Sequence, residues 1–297
     1  MGKCSDRLYY TAWHSARGSV QPQSFQPYLS SINTAHRHVL GESGVPEGGG
    51  LLGAVRRGWL REHLAKPGVQ KDVTTALPAR TARVVLELFK RSDAAPALDA
   101  RAFTFLIVSF ATLMRASSAV PLADTDVVDE PAEVRVCPRR IKGGQLSVLL
   151  PIPKVFPAAA GSLYMRSVVR RWRAVRTRAW GTARLRPPGA EEPGSFWALP
   201  GDSHSLAAAA SVATAWVEQA LSLAGIKAPP RVQYTSKCNR KGGASAAFAE
   251  GVSMEAIWAL GDWAIGSTTP SKHYIDAAVR RDEHSTFFFG FRAMQRR

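Results

Sequence analysis

The sequence predicts a mainly α protein with a small antiparallel β-sheet, divided into a small helical unit and a larger mixed one. Three observations lead there. Apolar residues recur at helical spacing through most segments, as at Tyr28, Leu29, Ile32, Ala35, His36 and Val39. Glu133 to Val136 and Gln145 to Ile152 are alternating or apolar runs on either side of Lys142-Gly143-Gly144, which reads as a hairpin. Lys66-Pro67-Gly68 then breaks the chain between two helical stretches. With 297 residues and 45% apolar composition, one or two domains can bury a core.

In chain order, residues 1–24 are polar and irregular and read as a flexible arm. Residues 25–66 read as a small helical domain. Its first helix carries the stripe just named, Gly41 to Gly50 interrupts, and Leu51 to Leu64 forms a second helix bearing Arg56, Arg57 and Arg61. Residues 67–74 form a linker, and 75–297 the larger domain with its C-terminal tail. Pro78 among threonines marks a helix start. Ala79 to Arg91 and Asp99 to Met114 follow as helices, the second apolar throughout and running into Arg115. After the hairpin, Leu163 to Trp180 is a helix with Arg166, Arg170, Arg173 and Arg176 on its outward side, and Arg184 to Ser205 is Pro/Gly-rich loop. Alanine-rich helices are expected at Leu206 to Ala224, Gly243 to Gly251 and Ser253 to Leu260, with Asn239 to Gly242 at a turn-to-helix junction.

Charge narrows the partners. Thirty-nine Lys+Arg against 23 Asp+Glu leave a formal charge of +16, which fits a polyanion: nucleic acid first, an anionic membrane surface second. Cys4, Cys137 and Cys238 lack paired spacing, so neither a disulfide framework nor a zinc site is expected, and a reducing intracellular compartment follows. The longest apolar run, Ala102 to Met114, is too short to span a bilayer and reads as a buried helix. Asp6 breaks the N-terminal myristoylation pattern, and no secretory apolar segment follows it.

Cutting a phosphodiester without a metal needs a nucleophile, cationic donors around the non-bridging oxygens, and an acid for the leaving oxygen. Arg115, in an otherwise apolar helix, would be costly unless it faced a cavity or a phosphate. Arg240 stands beside Gly242 and Gly243 at an expected helix head, where backbone N–H groups could face an anion. For either arginine alone, a structural salt bridge is the plainer alternative. Tyr274 is the only tyrosine after Tyr234, and as an isolated residue it could equally be a packing aromatic. Lys142 sits at the hairpin tip with Arg139 and Arg140 as competitors, and Lys237 lies three residues before Arg240.

Taken in order, Leu113-Met114-Arg115-Ala116-Ser117, Arg140-Ile141-Lys142-Gly143-Gly144-Gln145, Lys237-Cys238-Asn239-Arg240-Lys241-Gly242-Gly243-Ala244, Gly261-Asp262-Trp263 and His273-Tyr274 resemble the tyrosine recombinase (phage integrase) family. The resemblance is clearest over residues 75 to 280. It lies nearest the recombinases of eukaryotic tyrosine-recombinase retrotransposons, where a Gly-Gly-Ala after the second arginine and a Gly-Asp-Trp before the tyrosine are familiar. It implies the two-domain DNA breaking-rejoining fold, with a SAM-like core-binding domain and a catalytic domain clamping double-stranded DNA. It implies a site-specific recombinase or integrase of a mobile element, working in the nucleus. Tyr274 would attack the scissile phosphate, giving a 3′-phosphotyrosyl link and a free 5′-hydroxyl. Arg115, Arg240 and Lys237 would hold the charge, and Lys142 would protonate the leaving oxygen. No metal or other cofactor is implied, because the phosphotyrosine bond preserves the energy.

Asp262 stands where the family has His or Trp. Either Trp263 replaces that contact, or Asp262 orients an arginine. Arg56, Arg57, Arg61, Arg139, Arg140 and Lys241 are the expected DNA-binding residues. The knot Phe287-Phe288-Phe289-Gly290-Phe291 is a candidate for docking the C-terminal tail on a neighbour in a homo-tetramer, or else for packing on its own domain. A catalytically inactive DNA-binding protein derived from a recombinase is the alternative, to which Asp262 and the long stretch before Tyr274 point. A topoisomerase of the same catalytic plan is a further rival.

Overall fold

A computed structural model describes residues 74–92, 95–138, 153–157, 165–181, 194–200, 202, 209–230 and 232–294. The arm, the first two helices with Arg56, Arg57 and Arg61, the linker as far as residue 73, and the hairpin tip with Arg139, Arg140 and Lys142 lie outside the described residues. What is described belongs to one compact unit that begins at Val73. It is mainly helical with a three-stranded antiparallel sheet.

Helix α1 (Ala79–Arg91) starts after Pro78, whose φ of −62° suits a helix entry, and it buries Ala82, Val85, Leu86 and Phe89 along one face. Helix α2 (Ala97–Thr112) is predominantly apolar and buried from Ala100 to Thr112, so it becomes the axis on which α1 and four later helices pack. Its buried hydroxyls are satisfied within the helix, Thr104 donating to the Ala100 carbonyl at 2.7 Å and Thr112 to that of Val108 at 2.7 Å. Its buried cation, Arg101, donates to Asp202 at 2.5 Å. None of the described helices is long and apolar enough to cross a membrane.

The short helix α3 (Ala116–Ala119) leads through a 3₁₀ turn, Asp124–Asp126, to the sheet. Strands β1 (Val127–Asp129), β2 (Glu133–Val136) and β3 (Lys154–Pro157) follow in that order, with Val127 opposite Val136 and Val136 opposite Lys154. The alternation pattern misses β1, which is only three residues long.

Helix α4 (Met165–Trp180) corrects one expectation. Of the four arginines expected on its outward side, Arg170 is exposed, Arg166 and Arg173 are half-buried and Arg176 is buried. Arg166 and Arg170 both donate to Asp129, at 2.7 and 2.5 Å, while Arg173 and Arg176 hold Asp124. Burial pushes Asp129 up, but hydrogen bonds and charge from Arg170 and Arg166 outweigh it and hold its carboxyl below the usual range. The basic face of α4 therefore clamps the sheet and the turn before it. Phe196 and Trp197, from the stretch read as loop, are fully buried; Trp197 packs edge-on to Phe105 at 5.4 Å and donates to the Ala119 carbonyl at 2.7 Å. Helix α5 (Ala209–Leu223) closes this side against α2.

Helices α6 (Ser236–Ala249) and α7 (Met254–Leu260), a π-helical turn (Pro270–Tyr274) and α8 (Glu283–Met294) complete the unit. Phe288 and Phe289 of α8 are buried in the same chain, with ring centroids 4.9 and 6.1 Å from Phe110. Those two members of the aromatic knot pack on their own domain. Phe291's side chain lies outside those described.

Candidate active site

Two arginines reach the site by routes the sequence does not announce. The apolar pattern carries α2 through Met114, yet the helix stops at Thr112, where Leu113 turns left-handed at φ 55°. Arg115 is consequently not inside a helix. It is the extended residue ahead of α3, half-buried, and its charge acts on Arg240.

Arg240 also sits differently from expectation. Helix α6 begins at Ser236 because Thr235 caps it, its hydroxyl accepting from the Lys237 N–H at 3.3 Å. Arg240 is therefore in the second turn, not at the helix head. Gly242 and Gly243 are interior and serve close packing. A Cβ on Gly242 would stand 2.0 Å from the Leu77 carbonyl oxygen, and one on Gly243 would stand 2.2 Å from that of Phe110. Asn239, fully buried, donates to Ser109 of α2 at 2.8 Å, and the Cys238 carbonyl accepts from the Leu77 N–H at 3.0 Å. The backbone carrying Arg240 is thus bolted to α2.

Its side chain is 2% exposed. Nη2 donates to the Gly261 carbonyl, while Nε and Nη1 have no hydrogen-bond partner among the described residues. The guanidinium lies over Trp263, 3.9 Å from the ring centroid, and 5.1 Å from that of Tyr274. Burial and the nearby Arg115 push its pKa well below the usual arginine range, to about 9, against the opposing pull of Tyr274 and Asp262. No carboxylate is ion-paired to Arg115 or Arg240 among the described residues.

The Gly-Asp-Trp sequence builds the floor. Asp262 is left-handed at φ 51°, which folds Trp263 back on the helix end, and a Cβ at Gly261 would lie 1.8 Å from the Trp263 ring. Only glycine fits there. Trp263 in turn meets Tyr274 edge-on at 5.2 Å. The long stretch after Trp263 is held by Trp258, whose indole donates to the Ser267 carbonyl at 3.0 Å. It ends in the π-helical turn, closed by the Ile275 N–H to the Pro270 carbonyl at 2.8 Å. Ser245, beyond Arg240 on α6, accepts from the Asp276 N–H at 2.8 Å, and its one hydroxyl proton is shared between the carbonyls of Lys241 at 2.8 Å and Tyr274 at 3.2 Å. One helix therefore places both the guanidinium and the phenol.

Arg115, Arg240, Asp262, Trp263 and Tyr274 come together. Lys237 is exposed on α6, Lys241 is half-buried one residue past Arg240, and His273 is exposed while Tyr274 turns inward. Sequence reasoning missed Lys154, the first residue of β3. Its side chain is 1% exposed and its ammonium donates to Asp262 and, at 2.9 Å, to the Ala259 carbonyl. A lone lysine in Leu149-Leu150-Pro151-Ile152-Pro153-Lys154-Val155-Phe156 was the available signal, since such a cation needs a buried partner.

Neither a family model nor a curated protein matches the chain. Among solved structures, it is similar to the XerH site-specific recombinase in a post-cleavage complex with palindromic difH substrate, at 14% identity and a TM-score of 0.47, over 74% of this chain and 51% of that one. It is similar to a lambda integrase dimer bound to a COC′ core site, at 13% identity and a TM-score of 0.48, over 94% of this chain and 66% of that one. It is similar to XerA recombinase, at 12% identity and a TM-score of 0.45, over 94% and 83%. The chain spans about half the length of the XerH chain it matches. At identities this low, the functional reading rests on the residues themselves.

Proposed function

We propose that the chain is a DNA strand transferase of the tyrosine recombinase type, with Tyr274 as nucleophile and Arg240 and Arg115 as the phosphate clamp. One observation carries this reading: a buried guanidinium with two nitrogens that have no hydrogen-bond partner among the described residues, near Arg115 and against the ring of Tyr274. A buried guanidinium with open donors and a second cation beside it calls for an anion, and the planar fork of an arginine matches the oxygens of a phosphodiester. The phenol at the same place supplies the attacking oxygen. Transfer of the phosphoryl group from the 5′-oxygen to Tyr274 leaves a 3′-phosphotyrosyl link, and the reverse step on a partner strand restores the backbone. Lys142 or Lys237 would protonate the departing oxygen. The formal charge of +16 supports double-stranded DNA as the partner, with Arg56, Arg57, Arg61, Arg139, Arg140 and Lys241 along its backbone.

The finer parts of the reading are a retrotransposon-type source, a nuclear site of action and a tetramer on DNA. Gly242-Gly243-Ala244 and Gly261-Asp262-Trp263 support the first. A tetramer built through the tail would need surface other than Phe288 and Phe289, which are already buried. The second reading, a DNA-binding protein without cleavage, is favoured by one observation: a carboxylate, Asp262, stands within the cluster.

The test is incubation with nicked target duplex followed by denaturing electrophoresis. The wild-type chain is expected to form a covalent adduct that Tyr274→Phe abolishes without loss of DNA binding. An adduct that persists in the Phe variant removes Tyr274 from the role. Binding with no adduct from the wild type favours the second reading.

A further inference from the structure

Asp262 is the group least suited to a phosphate site, and the fold surrounds it with cations. The register of the sheet, with Lys154 opposite Val136, brings Lys154 to the end of α7. There its ammonium takes Oδ1 of Asp262 and the Ala259 carbonyl. Both side chains are sealed, at 1% and 4% exposure. On the other side, the residues flanking Asp262 hold Arg240: the Gly261 carbonyl accepts from Nη2 and the Trp263 ring lies beneath the guanidinium. The second carboxylate oxygen, Oδ2, is buried without a hydrogen bond among the described residues, and the Asp262 charge acts on Arg240.

Asp262 thus has two possible counter-ions. A buried carboxylate that loses one cation takes the next within reach, because leaving it bare costs more than reorienting a side chain. Were Lys154 absent, that cation would be Arg240, whose Nε and Nη1 have no hydrogen-bond partner among the described residues. We propose that Lys154 is a positioning residue that holds Asp262 off Arg240, so that the guanidinium stays open to an anion. The inference rests on reading Arg240 as a phosphate-binding group. It assigns Asp262 a structural place, as the anchor of the Gly261–Trp263 turn on the sheet, with its charge cancelled by Lys154.

The experiment measures the rise in Tm of the full chain with inorganic sulfate for the wild type, Arg240→Ala, Lys154→Met, Asp262→Asn and the double variant Lys154→Met/Asp262→Asn. The wild type should be stabilised by sulfate and Arg240→Ala should not. Lys154→Met should fall to the Arg240→Ala level, and the double variant should recover, because no carboxylate then competes for Arg240. A wild-type response in Lys154→Met overturns the inference, as does a double variant that stays unresponsive. If Lys154→Met does not fold, Asp262→Asn decides: it should keep or exceed the wild-type response, and a loss there overturns the inference. A wild-type response that Arg240→Ala leaves intact overturns the phosphate reading of Arg240 as well.

Discussion

At the scale of single residues, Arg240 is held in a charged state that the folded protein does not itself neutralise. Its value of about 9 lies well below that of an unfolded arginine, so the unfolded state binds the proton more tightly. The charge therefore costs stability below about pH 9, and the cost lifts as pH rises above it. A bound anion restores the ordinary value and recovers the cost. Stabilisation by sulfate or phosphate should consequently be largest near neutral pH and fade as pH rises through about 9, as followed by Tm at a series of pH values. In an active enzyme, Arg240→Ala should slow cleavage by roughly 10²-fold or more, because the donor acts on charge that develops in the transition state. A single-turnover assay on nicked duplex measures this, and a near-wild-type rate would leave Arg240 a structural role only.

At the scale of elements, α6 is the part on which the site depends. It carries Arg240, it carries Ser245 against the backbone of Tyr274, and it approaches Leu77 and Phe110 at backbone contact. The two glycines permit that approach. Alanine at Gly242 has no room at 2.0 Å from a carbonyl oxygen, so α6 would have to move away from the segment ahead of α1. Overpacking of this kind typically costs about 1–3 kcal/mol, and the displacement would carry Arg240 with it. Gly242→Ala is expected to lower the denaturation midpoint and weaken anion binding together. An exposed glycine such as Gly266, with nothing near its Cβ position, should tolerate alanine with only the penalty of its positive φ of 79°. Urea melts of the two variants compare these directly.

For the whole molecule, the excess of positive charge predicts how binding responds to salt. Each phosphate neutralised releases counter-ions, so affinity for duplex DNA should fall linearly on a log–log plot against salt, with a slope of about −0.9 per phosphate contact. The slope should be steep for the full chain and shallower by about one in Arg240→Ala. Fluorescence anisotropy at several salt concentrations measures both. A slope near zero would mean that the charge serves another partner. Within α4, the charges of Arg166, Arg170, Arg173 and Arg176 are partly offset by Asp129 and Asp124, which reduces their share of this expectation.

The sequence by itself determined the helical class and the positions of α1 and α4, because periodicity is a local property, while Arg115, Arg240, Asp262, Trp263 and Tyr274 were singled out by their resemblance to a family's ordered motifs. It misjudged what depends on neighbours. Gly242-Gly243 reads locally as the junction from a turn into a helix, and only the approach of Leu77 and Phe110 shows that it is a helix interior made thin. The end of α2 at Leu113 is invisible in an apolar run, because a left-handed buried leucine is sustained by packing and not by propensity. Lys154 and Asp262 lie far apart in the chain, and strand register alone brings them together. Tertiary structure decided which cations are spent and which remain, since a charge is free or paired only with respect to what folds against it.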